Sequence, residues 1–428
     1  MYFNVVYNKI KGLFTKNELR KNITILLKGS ILAQALPFIC MPILTRLYSP
    51  DDFGLFTLYL SIVLSFSAIL GLRYDYGILL PKQNLIAWKL LKLTQAIILL
   101  ISIILGIISI IFRYEISILL SDPRLQPWLI LVGINLLAVG LTQSGTLWLN
   151  RIKNYTAISN QRILQSSFTN GSQITIGLCH SFGVSGLIIG SLIGQFISLL
   201  YTLRIIKKQS PIINPKLLKN INRKLLMHYR NLPLYNAPTA IIDALRLNGI
   251  NILLALVFNT GVVGQFSLAW RLLQSPISLI NGALSQVYYQ HFVELPSHEL
   301  PKFLSSSIKK SIFIGLIPFG GLFLVSEFLF TSIFGETWRL AGEICKLLIP
   351  WLFLNFITSP ISSIFLVLHK EKLLLLFSVF YMGIPLSIIY FMHNNIYQTV
   401  LLVSTSMSIL LIFFLLIAYS TANNHAKR

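Results

Sequence analysis

Charged residues, and acidic residues above all, are scarce in this sequence. Only 11% of its 428 residues are charged, and only 13 residues are Asp or Glu. A soluble domain normally carries about a quarter of its residues as charges. This chain therefore lacks the charges that would cover a water-facing surface, which excludes an ordinary soluble enzyme and indicates a membrane protein.

Cysteine is rarer still, and its three copies lie far apart. Cys40, Cys179 and Cys345 form no CxxC or Cys/His ligand pattern, so we expect three small apolar side chains in the interior. The sequence also shows no Ser/His/Asp grouping, no paired loop carboxylates and no phosphate-binding glycine loop. We therefore predict no catalytic residue, no metal and no cofactor.

What the sequence does contain is one apolar run after another. Hydrophobic residues make up 55% of the chain, and the mean hydropathy is +0.73. A membrane-spanning helix needs about 20 apolar residues, and the runs predict an all-α polytopic membrane protein of about twelve spans. These are placed near 24–45, 53–79, 88–112, 126–148, 156–179, 183–203, 232–257, 261–290, 311–334, 341–368, 373–392 and 397–418.

The basic residues are distributed unevenly between the two sides of these spans. A net charge of +22 would suggest a nucleic-acid partner in a soluble protein. Here, with the N-terminus inside, 25 of the 35 Lys and Arg fall on the cytoplasmic side and four fall outside. The positive-inside rule then predicts a multi-pass protein with both termini in the cytoplasm and no nucleic-acid partner.

The longest polar segment divides the predicted spans into two sets of six. We expect an N-terminal lobe at 1–203, formed by a short interfacial helix and helices 1–6. A basic cytoplasmic linker follows at 204–231, and a C-terminal lobe with helices 7–12 occupies 232–428. Six spans per lobe give both lobes the same orientation, an arrangement that two-lobed transporters use.

A short sequence repeat supports this division. A motif after the first span returns after the seventh with a constant offset of 210 residues, close to half the chain. The matching pairs are Gly54/Gly264, Phe56/Phe266 and Leu58/Leu268.

Several ionisable residues fall deep inside the predicted seventh and eighth spans. Each such group costs roughly 2.5–3.5 kcal/mol at mid-span and usually faces a cavity. Asp243 and Arg246 are spaced i,i+3 and share one helix face with Asn251, while Arg271 lies deep in the next span. The two arginines predict a positive locus in the membrane, and a structural ion pair between the helices is the alternative.

Other polar residues lie in the first half of the chain and in the ninth span. A stripe from Arg162 to Gln173 on the fifth span predicts either a water-lined cavity or polar contacts between helices. Arg73 is close enough to the cytoplasmic face to snorkel. Asp75 and Glu327 could each bind a proton or a sodium ion, or balance a neighbouring cation.

Four segments together resemble a known family by their order and spacing. They are TRLYSPDDFG at 45–54, LRYD at 72–75, GQFSL at 264–268 with Arg271 following, and FGETW at 334–338. They resemble the Wzx-type polysaccharide flippases of O-antigen and capsule synthesis, a branch of the multidrug/oligosaccharidyl-lipid/polysaccharide exporter superfamily. The resemblance extends over about residues 20–420.

This resemblance implies two six-helix lobes in a MATE-like fold, around a central cavity that works by alternating access. It implies transport of an undecaprenyl-diphosphate-linked oligosaccharide, such as an O-antigen repeat unit of lipopolysaccharide, across the bacterial inner membrane to its periplasmic leaflet. Membrane lipid and other polysaccharide-assembly membrane proteins would be its partners, and H⁺ or Na⁺ a candidate coupling ion. The implied site residues are Arg246, Arg271, Arg162, Arg73, Gln173 and Asn251 for cargo, and Asp243, Asp75 and Glu327 for ion coupling.

Two alternatives remain at this stage. An ion-coupled multidrug exporter has the same fold, but export of organic cations favours an acidic, aromatic cavity. A membrane polysaccharide polymerase is an enzyme that needs active groups outside the lipid, whereas the longest outer connection here is about 113–125.

Overall fold

The computed structural model describes residues 16–179, 183–209, 223–368, 370–392 and 395–426, and no strand occurs in these ranges. Twelve long helices dominate them. The first fifteen residues, which include most of the predicted interfacial helix, lie outside the described part of the chain. The long helices are α1 (Lys16–Leu47), α2 (Pro50–Ser67), α3 (Asn84–Ile111), α4 (Val132–Arg151), α5 (Tyr155–Gly177), α6 (Val184–Lys208), α7 (Ala237–Val257), α8 (Thr260–Glu294), α9 (Leu300–Phe334), α10 (Arg339–Ile361), α11 (Glu371–Phe391) and α12 (Ile396–Ala426).

Each of the twelve predicted spans coincides with one of these helices, which confirms the all-α polytopic fold class. Several helices continue beyond the apolar run that predicted them. Helix α9, for example, begins at Leu300, whereas the apolar run that predicted it begins near residue 311. The first turns of α9 carry Lys302, Lys309 and Lys310, so they do not belong to the apolar run. Hydropathy detects only the lipid-facing part of such a helix, whereas the backbone hydrogen bonds continue into the water-facing part.

The second span is the exception to this agreement. It was expected to run to residue 79, but α2 ends at Ser67, turns occupy 68–75, and a 3₁₀ helix follows at Tyr76–Leu79. Leu72 and Arg73 have φ values of 44° and 61°, a left-handed conformation that side chains disfavour and a helix cannot continue through. Backbone of this kind inside a membrane is tolerated where it lines a cavity or is covered by protein.

Eight of the twelve long helices are long and apolar enough, by length and composition, to cross a membrane. Helices α2, α5 and α8 fall below this measure, while α7 contributes the shorter apolar stretch Leu247–Val257. Helix α5 is the most polar, with amide and hydroxyl side chains on several faces. Polar residues in membrane helices face the interior of the bundle or a cavity. The polar residues of α2, α5 and α8 are therefore candidates to line a cavity.

The described chain forms two compact units. Unit 1 comprises the described parts of Met1–Met41, Ile62–Tyr114 and Gln126–Ala244. Unit 2 comprises Pro42–Ser61 and Glu115–Leu125, with the described parts of Leu245–Arg428. The predicted domain boundaries on either side of the 204–231 linker stay a prediction, since much of that linker lies outside the described ranges.

In unit 1, glycines allow α5 and α6 to pack closely. A Cβ atom on Gly190 would meet the backbone of Gln173, and one on Gly194 would meet the backbone of Gln165 and Thr169. Small residues at four-residue spacing commonly allow such close approach in membrane helices. These glycines have a packing role, which fixes the position of the polar residues of α5.

In unit 2, the repeated motif packs against its own copy. A Cβ on Gly54 of α2 would collide with the carbonyl oxygen of Thr260, and one on Gly264 of α8 would collide with that of Pro50. Thr57 Oγ1 donates a hydrogen bond to Ser267 Oγ at 3.0 Å, and these two residues are also 210 positions apart. Reciprocal contact between equivalent residues is the signature of a twofold relation.

The cysteines only partly follow expectation. Cys345 of α10 is buried and Cys40 of α1 is partly buried, as expected of small apolar side chains. Cys179 is exposed, because it lies in the turn after α5 ends at Gly177. The expectation of three interior thiols is therefore wrong for Cys179.

Candidate functional site

A cavity of about 600 Å³ lies in unit 1, where the break after α2 meets α3, α4, α5 and α6. The ends of these helices place it in the half of the unit that carries the turns at 68–75 and 152–154. Its lining alternates aliphatic residues with amide, hydroxyl and charged groups. The polar lining residues are Ser67, Arg73, Asp75, Tyr76, Thr142, Gln143, Thr146, Gln161, Arg162, Gln165 and Gln195.

Two arginines give this cavity its charge. The Nη1 of Arg162 donates a hydrogen bond to Ser30 Oγ at 2.6 Å, and Arg162 is an exposed residue. The guanidinium of Arg73 lies 5.1 Å from the ring centroid of Tyr76, and its buried Nε has no acceptor in the described part of the chain. With Asp75 as the one carboxylate among the lining residues, the lining carries one net positive charge.

A chain of hydrogen-bonded amides joins α4, α5 and α6 at this cavity. Gln161 Nε2 donates to both Ser198 Oγ and Gln165 Oε1. Gln165 Nε2 donates to Gln195 Oε1 at 2.6 Å, and Gln195 Nε2 donates to Thr142 Oγ1 at 3.2 Å. A polar network whose members are paired is rigid, so these amides present fixed donors and acceptors to the cavity.

Asp75 lies in the same lining, immediately before the 3₁₀ helix. Its Oδ1 is buried and has no hydrogen-bond donor in the described ranges. An unpaired buried oxygen is costly, and such atoms concentrate at functional sites. Its predicted role in ion coupling stays a prediction.

The predicted stripe on α5 divides between the cavity and the neighbouring helices. Arg162 and Gln165 line the cavity. Ser166 instead donates to the carbonyl oxygen of Ala33 on α1 at 2.7 Å. Gln173 is buried, and its Nε2 donates to the carbonyl oxygen of Leu187 on α6 at 2.9 Å, so the structure places it in helix packing.

The residues predicted for the seventh and eighth spans do not share one environment in the structure. Arg246 is part of α7, but its side chain lies outside the described part of the structure. Asp243 has an exposed side chain on the same helix. Arg271 of α8 is partly buried in unit 2, and none of the described ion pairs includes it. Asn251 donates to Ser61 Oγ at 3.2 Å, also in unit 2.

Glu327 belongs to an ion pair near the end of α9. Its Oε1 accepts a hydrogen bond from Arg339 Nε at 3.0 Å, and both side chains are partly exposed. This corresponds to the expected alternative in which the acid balances a neighbouring cation. Its use as an ion-coupling residue stays a prediction.

The structure adds cavity residues that the sequence did not single out, including Gln143, Gln161 and Gln195. Gln161 is adjacent to Arg162, and Gln195 is adjacent to a packing glycine of α6. An amide in an otherwise apolar span is the signal that would have found Gln195. Its direction toward the cavity depends on helix rotation, which one sequence does not determine.

Comparison with known proteins places this geometry in a family. The family model for polysaccharide biosynthesis proteins matches residues 43–342. The chain belongs to this family. No curated protein sequence matches it. The family match confirms the resemblance to the Wzx-type flippases, and the matched range contains the whole unit 1 cavity.

Solved structures of several transporters have the same fold. An inward-facing multidrug resistance MATE-family transporter of the MOP superfamily has a TM-score of 0.69 at 14% identity, over 92% of this chain and 96% of that one. Lipid II flippase MurJ in an inward closed conformation has a TM-score of 0.74 at 16% identity, over 93% and 87%.

A third structure is a MOP superfamily transporter from Pyrococcus furiosus, described by the reverse polarity of its binding pocket. It has a TM-score of 0.54 at 13% identity, over 95% of this chain and 94% of that one. At these identities the likeness shows the fold alone. It confirms a MATE-like, multi-span membrane protein.

Proposed function

We propose that this protein is a flippase for a polyprenyl-diphosphate-linked oligosaccharide. In this proposal it moves an O-antigen or capsule repeat unit on undecaprenyl diphosphate from the cytoplasmic to the outer leaflet of the bacterial inner membrane. The observation that carries the proposal is the unit 1 cavity, where Arg73 and Arg162 lie among hydrogen-bonded amides. The family match supports the glycan-synthesis context.

The chemistry of this cavity suits a diphosphate attached to a sugar. Guanidinium groups present a planar set of donors that matches phosphate oxygens, and such charge-assisted hydrogen bonds are about twice as strong as neutral ones. Buried Arg73 Nε is a donor without an acceptor in the described chain. The amides of Gln161, Gln165 and Gln195 can exchange hydrogen bonds with sugar hydroxyls.

The position of the cavity supports the proposed direction of transport. The turns at 68–75 and 152–154 lie in its half of unit 1, on the side where the distribution of Lys and Arg predicts the cytoplasm. A cargo made in the cytoplasmic leaflet would therefore meet Arg73 and Arg162 first. In this proposal Arg246 and Arg271 remain further candidate anion contacts.

A transport assay in proteoliposomes tests this function. Undecaprenyl diphosphate carrying neutral hexose or N-acetylhexosamine trisaccharides would be added to the outer leaflet, and its movement followed by protection from an added glycosidase. We expect movement by the wild type and a loss of about 10- to 100-fold in Arg162→Ala, as expected for a hydrogen bond to a charged group worth about 1.5–3 kcal/mol. Arg162→Lys should lose less, because it keeps the charge.

Arg113→Ala is the matched control, because Arg113 is an exposed arginine of unit 1 outside the cavity. All variants need equal insertion, measured by protein content of the vesicles. The proposed function is contradicted if the wild type moves none of the glycolipids. Export of cationic dyes in the same vesicles would instead support a multidrug exporter, although two arginines against one carboxylate disfavour cation binding.

A further inference from the structure

Unit 2 contains a second polar cavity that takes no part in the proposed anion contacts. Helices α7, α8, α10 and α11 enclose a volume of about 90 Å³, and its described lining residues carry no charge. One water molecule needs about 10–15 Å³ on this scale. The cavity therefore has room for roughly six to nine waters, which suits a group of the size of one sugar ring.

Aromatic rings form one wall of this cavity. The ring centroids of Trp270 and Trp351 lie 5.0 Å apart with an interplanar angle of 48°. Phe266 stacks on Trp270 at 6.0 Å. Trp270 is one helical turn after Phe266 on α8, so the two side chains lie on the same helix face.

Amides and a phenol form the polar part of the lining, next to the indole of Trp351. Tyr381 Oη accepts hydrogen bonds from Trp351 Nε1 at 2.9 Å and from Asn355 Nδ2 at 3.1 Å, which holds the indole in place. Gln274 also lines the cavity, and its buried Oε1 meets no donor in the described ranges. An acceptor of this kind gains most from a ligand that carries a hydroxyl donor.

A second neutral cavity of about 160 Å³ adjoins the first, and both are lined by Asn355 and Tyr381. Hydroxyl groups dominate its polar lining. Thr358, Ser362 and Ser378 donate to carbonyl oxygens of their own helices, which leaves hydroxyl lone pairs that can accept from a ligand. Together the two cavities offer room for two adjacent sugar-sized groups.

We propose that these adjoining cavities of unit 2 bind two successive neutral sugar residues of the cargo glycan, with Trp270 and Trp351 as the platform for one ring. This proposal rests on the proposed flippase function. A pyranose has one face of C–H groups, which suits the electron-rich face of an indole, and an edge of hydroxyls that suits amides. Pockets that combine an aromatic lining with a few polar groups are typical ligand sites.

The neutral lining argues against the other possible occupants. A phosphate or an organic cation would lose its hydration without gaining a counter-charge from the described lining. A lipid chain would leave the amides of Asn355 and Gln274 without partners. A neutral saccharide satisfies both parts of the lining at once.

Saturation-transfer difference NMR of the full-length protein in nanodiscs tests this site directly. The probes are soluble trisaccharides of neutral hexoses and N-acetylhexosamines. We expect transfer to the sugar C–H protons in the wild type, a three- to tenfold weaker apparent affinity in Trp270→Leu, and near wild-type affinity in Trp270→Tyr. Trp128→Leu, at a partly buried tryptophan of unit 1, is the matched control and should bind as the wild type does.

The transport assay with the same trisaccharides on undecaprenyl diphosphate separates the two proposals. If the wild type moves the glycolipid and Trp270→Leu moves it equally well with unchanged trisaccharide binding, the sugar site is wrong and the flippase function stands. If the wild type moves no glycolipid, the function fails and the sugar site fails with it. Equal binding of a long-chain alkyl phosphate or a cationic dye at Trp270 would also overturn the sugar site.

Discussion

The unit 1 cavity and the unit 2 cavities differ more in charge than in polarity. Both contain amides and hydroxyls, but unit 1 adds Arg73 and Arg162, whereas the described lining in unit 2 adds Trp270 and Trp351 and no charge. A lipid-linked oligosaccharide has both chemistries, an anionic diphosphate and neutral sugar rings. The comparison assigns the proposed anion contacts of Arg73 and Arg162 to unit 1 and the proposed aromatic sugar site of Trp270 and Trp351 to unit 2.

The two regions also differ in how their walls are held. In unit 1 the wall is held by the amide chain from Gln161 to Gln195. In unit 2 the helix that carries Trp270 is held by close contact at Gly54 and Gly264. Hydrogen bonds fix side-chain direction, whereas close backbone packing fixes the helix position.

The largest expected effect is the removal of both unit 1 arginines. Arg73→Ala with Arg162→Ala should reduce glycolipid movement by more than about 100-fold, because two charge-assisted contacts of about 1.5–3 kcal/mol each are lost. Trisaccharide binding in unit 2 should be unchanged. Glycolipid movement is measured in proteoliposomes, and trisaccharide binding is measured by NMR. Weaker trisaccharide binding in the double variant would contradict separate roles for the two units.

The second-largest expected effect is a loss of stability in Gly264→Ala. The new Cβ would collide with the carbonyl oxygen of Pro50, and forcing the helices apart costs about 1–3 kcal/mol. Gly282→Ala lies on the same helix with no heavy atom within 4 Å of the new Cβ, and it should be neutral. Thermal unfolding in detergent measures both variants, and equal melting temperatures would contradict the close crossing.

Gln195→Leu should have a smaller effect, which is limited to ligand binding at the unit 1 cavity. It removes the acceptor of Gln165 Nε2 and a donor to Thr142, and each buried group left unpaired costs about 1–3 kcal/mol. We expect weaker glycolipid binding with unchanged trisaccharide binding at the Trp270 site of unit 2. Gln290→Leu, at an exposed glutamine of unit 2, is the control, and an equal loss in both variants would argue against the amide chain.

The smallest expected effect is the pH dependence of stability from the ion pair of unit 2, in which Arg124 Nη2 donates to Asp122 Oδ2 at 2.7 Å. Burial raises the pKa of Asp122, but hydrogen bonds from the side chain and backbone of Arg124 outweigh it and lower the pKa below its usual value. The pair should stabilise the protein at neutral pH, and this contribution should disappear as pH falls through the lowered pKa. Because the side chain of Arg124 is 51% exposed, the contribution of the pair to the free energy of unfolding should be below about 1 kcal/mol.

Melting curves between pH 7 and pH 3 measure this contribution. The wild type should lose more stability on acidification than Asp122→Asn, which has no charge to lose. Parallel curves for the two proteins would show that the pair does not contribute.

The sequence was sufficient for the twelve helices but only partly for the site. Apolar runs reveal each span because lipid imposes them, yet the break at 68–75 depends on the left-handed conformation of Leu72 and Arg73, which hydropathy does not register. Helix rotation then decides which polar residues share a cavity. Arg162 and Gln173 belong to one predicted stripe, but only Arg162 lines the cavity.

The aromatic site shows the same limit. Trp270 immediately precedes Arg271, which is predicted as a site residue for its charge, and neither Trp270 nor Trp351 carries a charge of its own. Their contact with each other and with Tyr381 requires the packing of three helices. Hydropathy and spacing along one sequence do not register such contacts.

The most direct test of a division between charge and sugar recognition is a comparison of two ligands in two variants. Dissociation constants would be measured in nanodiscs for undecaprenyl diphosphate alone and for the same lipid carrying a neutral trisaccharide. Arg162→Ala should weaken both by a similar factor, whereas Trp270→Leu should weaken only the trisaccharide-bearing lipid. Equal weakening of both ligands by Trp270→Leu, or no weakening of either by Arg162→Ala, would contradict the division.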